Sequence, residues 1–322
     1  MRAVVVTRHG GTEVLAVRDV PEPEPGPGQL LVDVEAAGVN FRDIYEREGS
    51  YPGTPPFVAG AEGAGTVAAI GEGVTDVAVG DRVGWVAAPG SYAARVVVDA
   101  ARAVPVPDGI ASEIAAAALL QGMTAHYLAV ATYPVQAGDD VLVHAAAGGV
   151  GLLLTQIVTL RGGRVVGTAS TEEKARLATE AGADEVVAYE GFAERVREHT
   201  EGRGATVVYD GVGAATFDES LTALRPRGHM VLYGAASGPV APLNPLRLQA
   251  GGSLFLTRPS LPHYIATREE LLHRAGDIFA WIASGELAVR IGGRYPLPEA
   301  RRAQEDLQAR RTMGKLVLVH EV

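Results

Sequence analysis

The sequence predicts an α/β protein: a β-rich first third, followed by a doubly wound parallel sheet of six strands with helices between them. Three observations carry this reading. Extended and helical patterns alternate from residue 141 to residue 257. The first extended run feeds directly into small residues and glycines, Val141-Leu-Val-His-Ala-Ala-Ala-Gly-Gly-Val-Gly151, which open a helix. Before residue 121, short valine-rich runs are separated by glycine and proline.

In the alternating region, strands are expected over 141–144, 164–168, 185–188, 205–209, 229–233 and 253–257. Helices begin near Gly151, Thr171, Phe192, Thr216 and Leu243. In the first third the extended runs are 1–6, 30–35, 66–70 and 95–98. The proline-rich stretch 21–28 reads as a stiff loop between strands, and 80–84 as a turn entering a strand. Helical patterns follow over 111–120 and 124–130, later over 268–283 and from Pro298, with a last strand at 315–319. There is no internal repeat.

Composition narrows the function classes. At 322 residues, two domains are expected, and 47% hydrophobic with 20% charged residues is ordinary for a globular enzyme. A net charge of -10 opposes a default affinity for nucleic acid or anionic membrane. The amino terminus enters a strand with no signal-peptide pattern, and no apolar run is long enough to span a bilayer, so a cytoplasmic location is expected. The chain contains no cysteine, which removes disulfides, thiolate nucleophiles and thiolate metal sites together. Its eight histidines show no metal-binding spacing, and no metal is expected.

The strand-to-helix placement of the glycines suits a seat for a dinucleotide's pyrophosphate, the alternative being a plain glycine turn that joins a buried strand to a helix. Ala146-x-Gly148-x-x-Gly151 has the fingerprint spacing with alanine first. Gly148, with Gly149 and Val150, brings backbone to the phosphates, and Gly151 lets the helix pack on the strand. A NAD-preferring site carries an acid about 20 residues further on. Here that place holds Ser170, with Lys174 one helical turn beyond, a pair suited to the 2′-phosphate of NADPH. The alternative is that Ser170 caps the following helix, in a capping box with Glu173, while Lys174 is a solvated face residue. Tyr189, after the next strand, is placed to flank the adenosine.

Several segments then agree. Gly10-Gly-Thr-Glu-Val-Leu15, Gly38-Val-Asn-Phe-Arg-Asp-Ile-Tyr45, residues 138–151 with Gln156, and Thr257-Arg-Pro-Ser-Leu261 together resemble the zinc-independent quinone oxidoreductases of the medium-chain dehydrogenase/reductase superfamily. The resemblance covers essentially the whole chain, departing from the family signature at Thr159. It implies a GroES-like catalytic domain over 1–121, a Rossmann NADP(H)-binding domain over 122–261, and a segment, 262–322, returning to the catalytic domain, with NADPH in the cleft between domains. Zinc-dependent relatives carry a cysteine in Gly-Val-Cys and a histidine in Gly-His-Glu. Here those motifs read Gly38-Val39-Asn40 and Gly60-Ala61-Glu62, so both ligands are missing.

The resemblance also implies site residues. Asn40, Asp43, Tyr45 and Tyr51 correspond to positions lining the substrate side of the nicotinamide. Asn40 is expected to position a carbonyl, Asp43 to fix its neighbours, and the two tyrosines to supply flat walls and a phenolic donor; the alternative leaves the tyrosines as surface cover. Thr124 and Tyr127 resemble cofactor-proximal positions, although Tyr127 equally suits a core. Gly234, Phe255, Thr257 and Arg258 are expected at the nicotinamide side, with a domain-bridging ion pair as the alternative for Arg258. Arg310 resembles a position reaching the 2′-phosphate, with Arg311 adjacent. The apolar edge strand 252–257 suggests a homodimer. The expected activity is NADPH-dependent reduction of quinones by metal-free hydride or electron transfer. The alternatives are a reductase of α,β-unsaturated aldehydes or ketones and, from a different class, a non-catalytic NADPH- and RNA-binding protein.

Overall fold

The computed structural model describes residues 1–320. In chain order the elements are β1 (Arg2–Val6), β2 (Leu15–Asp19), β3 (Gln29–Val39), α1 (Phe41–Glu48), β4 (Phe57–Val58), β5 (Glu62–Ile70), β6 (Arg82–Val86), β7 (Arg95–Asp99), β8 (Val104–Pro105) and α2 (Ser112–Tyr127). The alternating part comprises β9 (Asp140–Val143), α3 (Gly149–Leu160), β10 (Arg164–Thr168), α4 (Glu172–Glu180), β11 (Glu185–Val187), α5 (Phe192–His199), β12 (Ala205–Asp210), α6 (Phe217–Ala223), β13 (Leu224–Leu232), α7 (Leu246–Ala250), β14 (Phe255–Thr257) and α8 (Leu261–Tyr264). The chain finishes with α9 (Arg268–Ser284), β15 (Ile291–Pro296), α10 (Ala300–Gln308) and β16 (Lys315–Val319). These form two compact units: residues 1–121, 265–285 and 289–322 in one, and 122–264 with 286–288 in the other.

In the first unit β3 is the centre. It pairs antiparallel with β5, β7 and β16, and a smaller sheet runs β2-β1-β4. Alternation along β3 points Leu30, Val32 and Val34 into a core that includes Val4, Trp85, Tyr92, Val96 and Leu316. Trp85 is fully buried, and its indole N–H donates to Ser91 Oγ at 2.9 Å, so the ring is covered without an orphaned polar atom.

In the second unit six strands, all parallel, lie in the order β11-β10-β9-β12-β13-β14. This is the doubly wound order in which the chain starts at the centre and reverses direction. Val141 lies between Val165 and Val207 in register, so the central strand is buried on both faces and reads as an unbroken apolar run.

Two local differences from the sequence reading have simple causes. The patterns at 111–120 and 124–130 are one helix, α2, continued by a π-helical turn over Leu128–Thr132. Gly122 does not break it because burial supplies the stability that propensity lacks. The whole run Ser112–Thr132 is long and apolar enough to cross a membrane, but 72% of its most apolar window is buried in protein, as in a core helix. Helix α1 is not among the expected elements, because five of its eight residues are charged and the apolar pattern of Phe41, Ile44 and Tyr45 spans little more than one turn. Its boundaries were nevertheless signalled: the Asp43 carboxylate accepts from the Asn40 N–H at 2.8 Å, and Gly49 ends it at φ 82°.

Replacing Trp85 by Ala is predicted to lower the unfolding free energy by about 3–5 kcal/mol. Urea titration reads this as a lower midpoint, and an unchanged midpoint would show that the core does not depend on the ring.

Candidate active site

In the second unit the carboxyl ends of β9, β10, β11, β13 and β14 lie along one edge of the parallel sheet, and the segments that follow them carry Gly148, Ser170, Tyr189, Gly234 and Arg258. In open α/β sheets this is the edge that receives ligands.

The turn from β9 to α3 is built from backbone. Ala145 adopts φ 51°, and its carbonyl accepts from the Gly148 N–H at 2.8 Å. A Cβ on Gly151 would lie 2.3 Å from Ala145 O and 2.8 Å from Ala146 Cα, so only glycine lets α3 start this close to the strand. Gly148 occupies the N-cap position of α3 with no side-chain cap, which leaves the first-turn N–H groups, including those of Gly149 and Val150, directed at whatever lies beyond the helix end. These donors and the helix dipole suit a pyrophosphate.

A buried chain of hydrogen bonds supports this turn. Thr168 Oγ1 accepts from the Ala145 N–H at 3.1 Å and lies 3.0 Å from His144 Nδ1. His144 Nε2 lies 2.9 Å from Ser220 Oγ, which donates to Asp210 Oδ2 at 3.4 Å. With the Thr168 hydroxyl proton directed to Nδ1, the His144 ring carries its proton on Nε2 and the Thr168 and Ser220 hydroxyls each donate once and accept once. Burial lowers the His144 pKa to about 4, opposed by the Asp210 carboxylate, so the ring is neutral at pH 7. Asp210 itself is held by the N–H groups of Val212 and Gly213 and by Thr216 Oγ1. None of His144, Thr168 and Asp210 was singled out in the sequence. The available signal was a histidine at the end of an apolar strand, immediately before the glycine turn.

After β10, the cap of α4 is Thr171, whose hydroxyl accepts from the Lys174 N–H at 3.2 Å. The alternative in which Ser170 caps this helix is thereby corrected: a residue farther along does that work. Lys174 Nζ instead donates to Ser170 Oγ at 3.4 Å, which brings a hydroxyl and an ammonium together where a carboxylate would repel a 2′-phosphate.

The remaining residues divide. The Tyr189 ring lies nearly parallel to the His144 ring at 6.2 Å between centroids. A Cβ on Gly234 would fall 2.3 Å from Gly211 O, so this glycine serves close packing between the ends of β12 and β13. Thr257 pairs with Val231, and the Arg258 guanidinium donates to Leu232 O at 2.8 Å rather than to a carboxylate. Phe255 is 56% exposed and stacks on His229 at 4.5 Å, on the outer edge of the sheet. Tyr127 takes the core place its sequence left open: it is buried and stacked on Tyr264 at 4.3 Å, with Thr124 buried one turn earlier. Arg310, in the other unit, adopts φ 56°, while Arg311 is held by Asp306 at 2.7 Å.

In the first unit, α1 and the segment after it gather Asn40, Asp43, Tyr45 and Tyr51. The Phe41 and Tyr45 rings lie 6.2 Å apart and the Tyr45 and Tyr51 rings 5.2 Å apart, both pairs tilted, with Tyr51 41% exposed. Asn40 departs from its expected part. Both hydrogens of its amide are taken, by Glu62 Oε2 at 2.9 Å and Gly38 O at 3.3 Å, and its oxygen accepts from Lys315 Nζ at 2.7 Å. A buried amide so engaged has no donor left for a substrate carbonyl. Asp43 Oδ2 accepts from Asn40 N–H and, at 2.7 Å, from Tyr92 OH. Burial pushes its pKa up to about 7 against the lowering effect of these two bonds.

Two outcomes are predicted for the support beneath the turn. Thr168→Val strands the Ala145 N–H and His144 Nδ1, and is expected to weaken NADPH binding roughly tenfold in a fluorescence titration; an unchanged affinity would separate this chain from the turn. For His144, the unfolded chain takes up a proton near pH 6.5 that the folded protein refuses until about pH 4, so stability falls as pH drops through that interval. His144→Gln, which cannot titrate, is expected to flatten the stability profile there, and an unaltered slope would refute the assignment.

Comparison with known proteins places this geometry. Residues 26–108 match the alcohol dehydrogenase GroES-like domain and residues 149–268 the zinc-binding dehydrogenase family. A quinone oxidoreductase of Pseudomonas aeruginosa is 45% identical, with 97% of each chain covered. A 2-haloacrylate reductase of a Burkholderia species is 40% identical, with 98% of each covered. A mycobacterial protein solved in complex with NADPH superposes with a TM-score of 0.97 at 54% identity, over 99% of this chain and 100% of that one. The zinc-binding name belongs to the wider family, and this chain has asparagine and alanine where the zinc-dependent members place their ligands. By full-length identity and by fold, the chain belongs to the zinc-independent quinone oxidoreductases of the medium-chain dehydrogenase/reductase superfamily.

Proposed function

We propose that the protein is an NADPH-dependent oxidoreductase that reduces quinones by metal-free transfer of reducing equivalents. The observation that carries the cofactor choice is the Ser170 hydroxyl with the Lys174 ammonium beyond β10, beside the uncapped start of α3. NADPH supplies a hydride when bound. The N–H groups at the start of α3 hold its pyrophosphate, Ser170 and Lys174 its 2′-phosphate, and Thr257 and Arg258 flank its nicotinamide end. Gly149, Val150, Tyr189, Gly234, Thr124 and Tyr127 belong to the same proposed binding set, with Gly234 and Tyr127 acting through packing.

On the acceptor side, Tyr45 and Tyr51 supply flat apolar walls, and the Tyr51 hydroxyl supplies a hydrogen bond to the oxygen on which negative charge grows. Asp43 and Asn40 act behind them by fixing the start of α1. An activated alkene conjugated to a carbonyl presents the same flat shape and the same growing charge. The relative named for reducing 2-haloacrylate supports that second reading. The exposed edge of β14, where Phe255 and Leu256 face outward, supports pairing with a second copy of the chain.

Oxidation of NADPH and NADH is to be compared using 1,4-benzoquinone, 9,10-phenanthrenequinone and an enone, on protein treated with chelator. The expected result is quinone turnover selective for NADPH, with Tyr51→Phe lowering kcat roughly tenfold. Turnover of the enone alone would move the function to the second reading. NADPH binding without turnover of any acceptor would overturn both.

A further inference from the structure

Asn40 belongs to a buried cluster whose charged members, Glu62 and Lys315, have no part in the cofactor or acceptor contacts above. Lys315 Nζ, on β16, lies 2.7 Å from Asn40 Oδ1 and 2.5 Å from Glu62 Oε2. The Lys315 and Glu62 side chains are 1% and 0% exposed. The other Glu62 oxygen accepts from the Leu120 N–H at 2.6 Å, so the carboxylate ties β5 to α2 as well as to β16. Space for the cluster comes from Gly38, where a Cβ would lie 2.3 Å from Glu62 Oε2 and 2.8 Å from Lys315 Cε.

A buried ion pair is seldom the most stable way to fill a core, because desolvation offsets the attraction and a well-packed apolar pair does as well. What it provides here is direction. The ammonium fixes which side of the Asn40 amide is oxygen, and the amide hydrogens then point to Glu62 and Gly38 O. The Asn40 backbone N–H is left to the Asp43 carboxylate, which also receives Tyr92 OH. A continuous series of contacts thus runs from β16 to the first turn of α1, the helix that carries Tyr45.

We propose that Lys315 is a positioning residue for reduction of the acceptor: through Asn40 and Glu62 it sets the start of α1 and hence the Tyr45–Tyr51 ring pair that receives a flat substrate. This rests on the proposed function for the identity of the acceptor.

The test uses Lys315→Met, which leaves Glu62 charged and unpaired, and the double variant Lys315→Met/Glu62→Gln, which removes both charges. Three quantities are measured for each and for the parent: melting temperature, NADPH dissociation constant, and the dissociation constant and turnover of 9,10-phenanthrenequinone. The single variant is expected to melt lower, and the double variant to recover most of that loss. Both are expected to keep the parent NADPH affinity while quinone affinity and kcat/KM stay roughly tenfold down, since a misplaced reacting geometry costs rate without touching the cofactor seat. A double variant with parent quinone binding and turnover would overturn the proposal and leave the pair as core filling, as would failure of both variants to fold. If the parent turns over no quinone, the functional reading fails separately, and the ratio of quinone dissociation constants still decides the role of Lys315.

Discussion

The turn between β9 and α3 is the constraint on which the proposed cofactor site depends. Its walls are main chain: Ala145 in a left-handed conformation, Gly148 extended, and Gly151 against Ala145 O at a separation that excludes any side chain. Backbone donors are fixed in direction by the elements that carry them, so such a seat needs little reorganisation to receive an anion. Within the turn, the Gly148 N–H closes on Ala145 O, while the Ala145 N–H needs a partner from outside it. The support comes from beneath, through Thr168, His144, Ser220 and Asp210, which satisfy one another and hold the Ala145 N–H in place.

The first unit solves a similar problem differently. Helix α1 is short and mostly polar on its surface, and its isolated stability would be slight. It is fixed by polar contacts at both ends. Asn40 and Asp43 anchor its start, while the fully buried Arg47 guanidinium at its end donates to Gly10 O, Gln304, Glu48 and Gln308. Hydrogen bonds specify orientation more narrowly than apolar packing does, which suits the proposed presentation of flat aromatic faces by this helix.

The absence of cysteine and the loss of both metal-ligand positions remove the means by which zinc-dependent relatives polarise a substrate oxygen. Quinones and conjugated alkenes need less of that help than an isolated carbonyl, because the charge formed on reduction is delocalised. The proposed site, a tilted tyrosine pair with one phenolic donor, matches that lower demand.

Much of this was legible in the sequence because it depends on local periodicity. Six strands, their order of appearance and the glycine turn all follow from apolar runs, helical patterns and residues without side chains. That the Ser170 and Lys174 side chains meet was legible because they stand one helical turn apart. What only the tertiary structure decided are contacts between residues far apart in the chain. Lys315 meets Asn40 across 275 positions. His144 meets Ser220 across 76. Tyr127 is covered by Tyr264. No local pattern encodes such meetings, because a buried polar side chain shows its role only through the partner that satisfies it, and the sheet registers choose that partner. For the same reason Asn40 reads in the sequence as an available amide, whereas in the folded protein every polar atom of its side chain is already engaged.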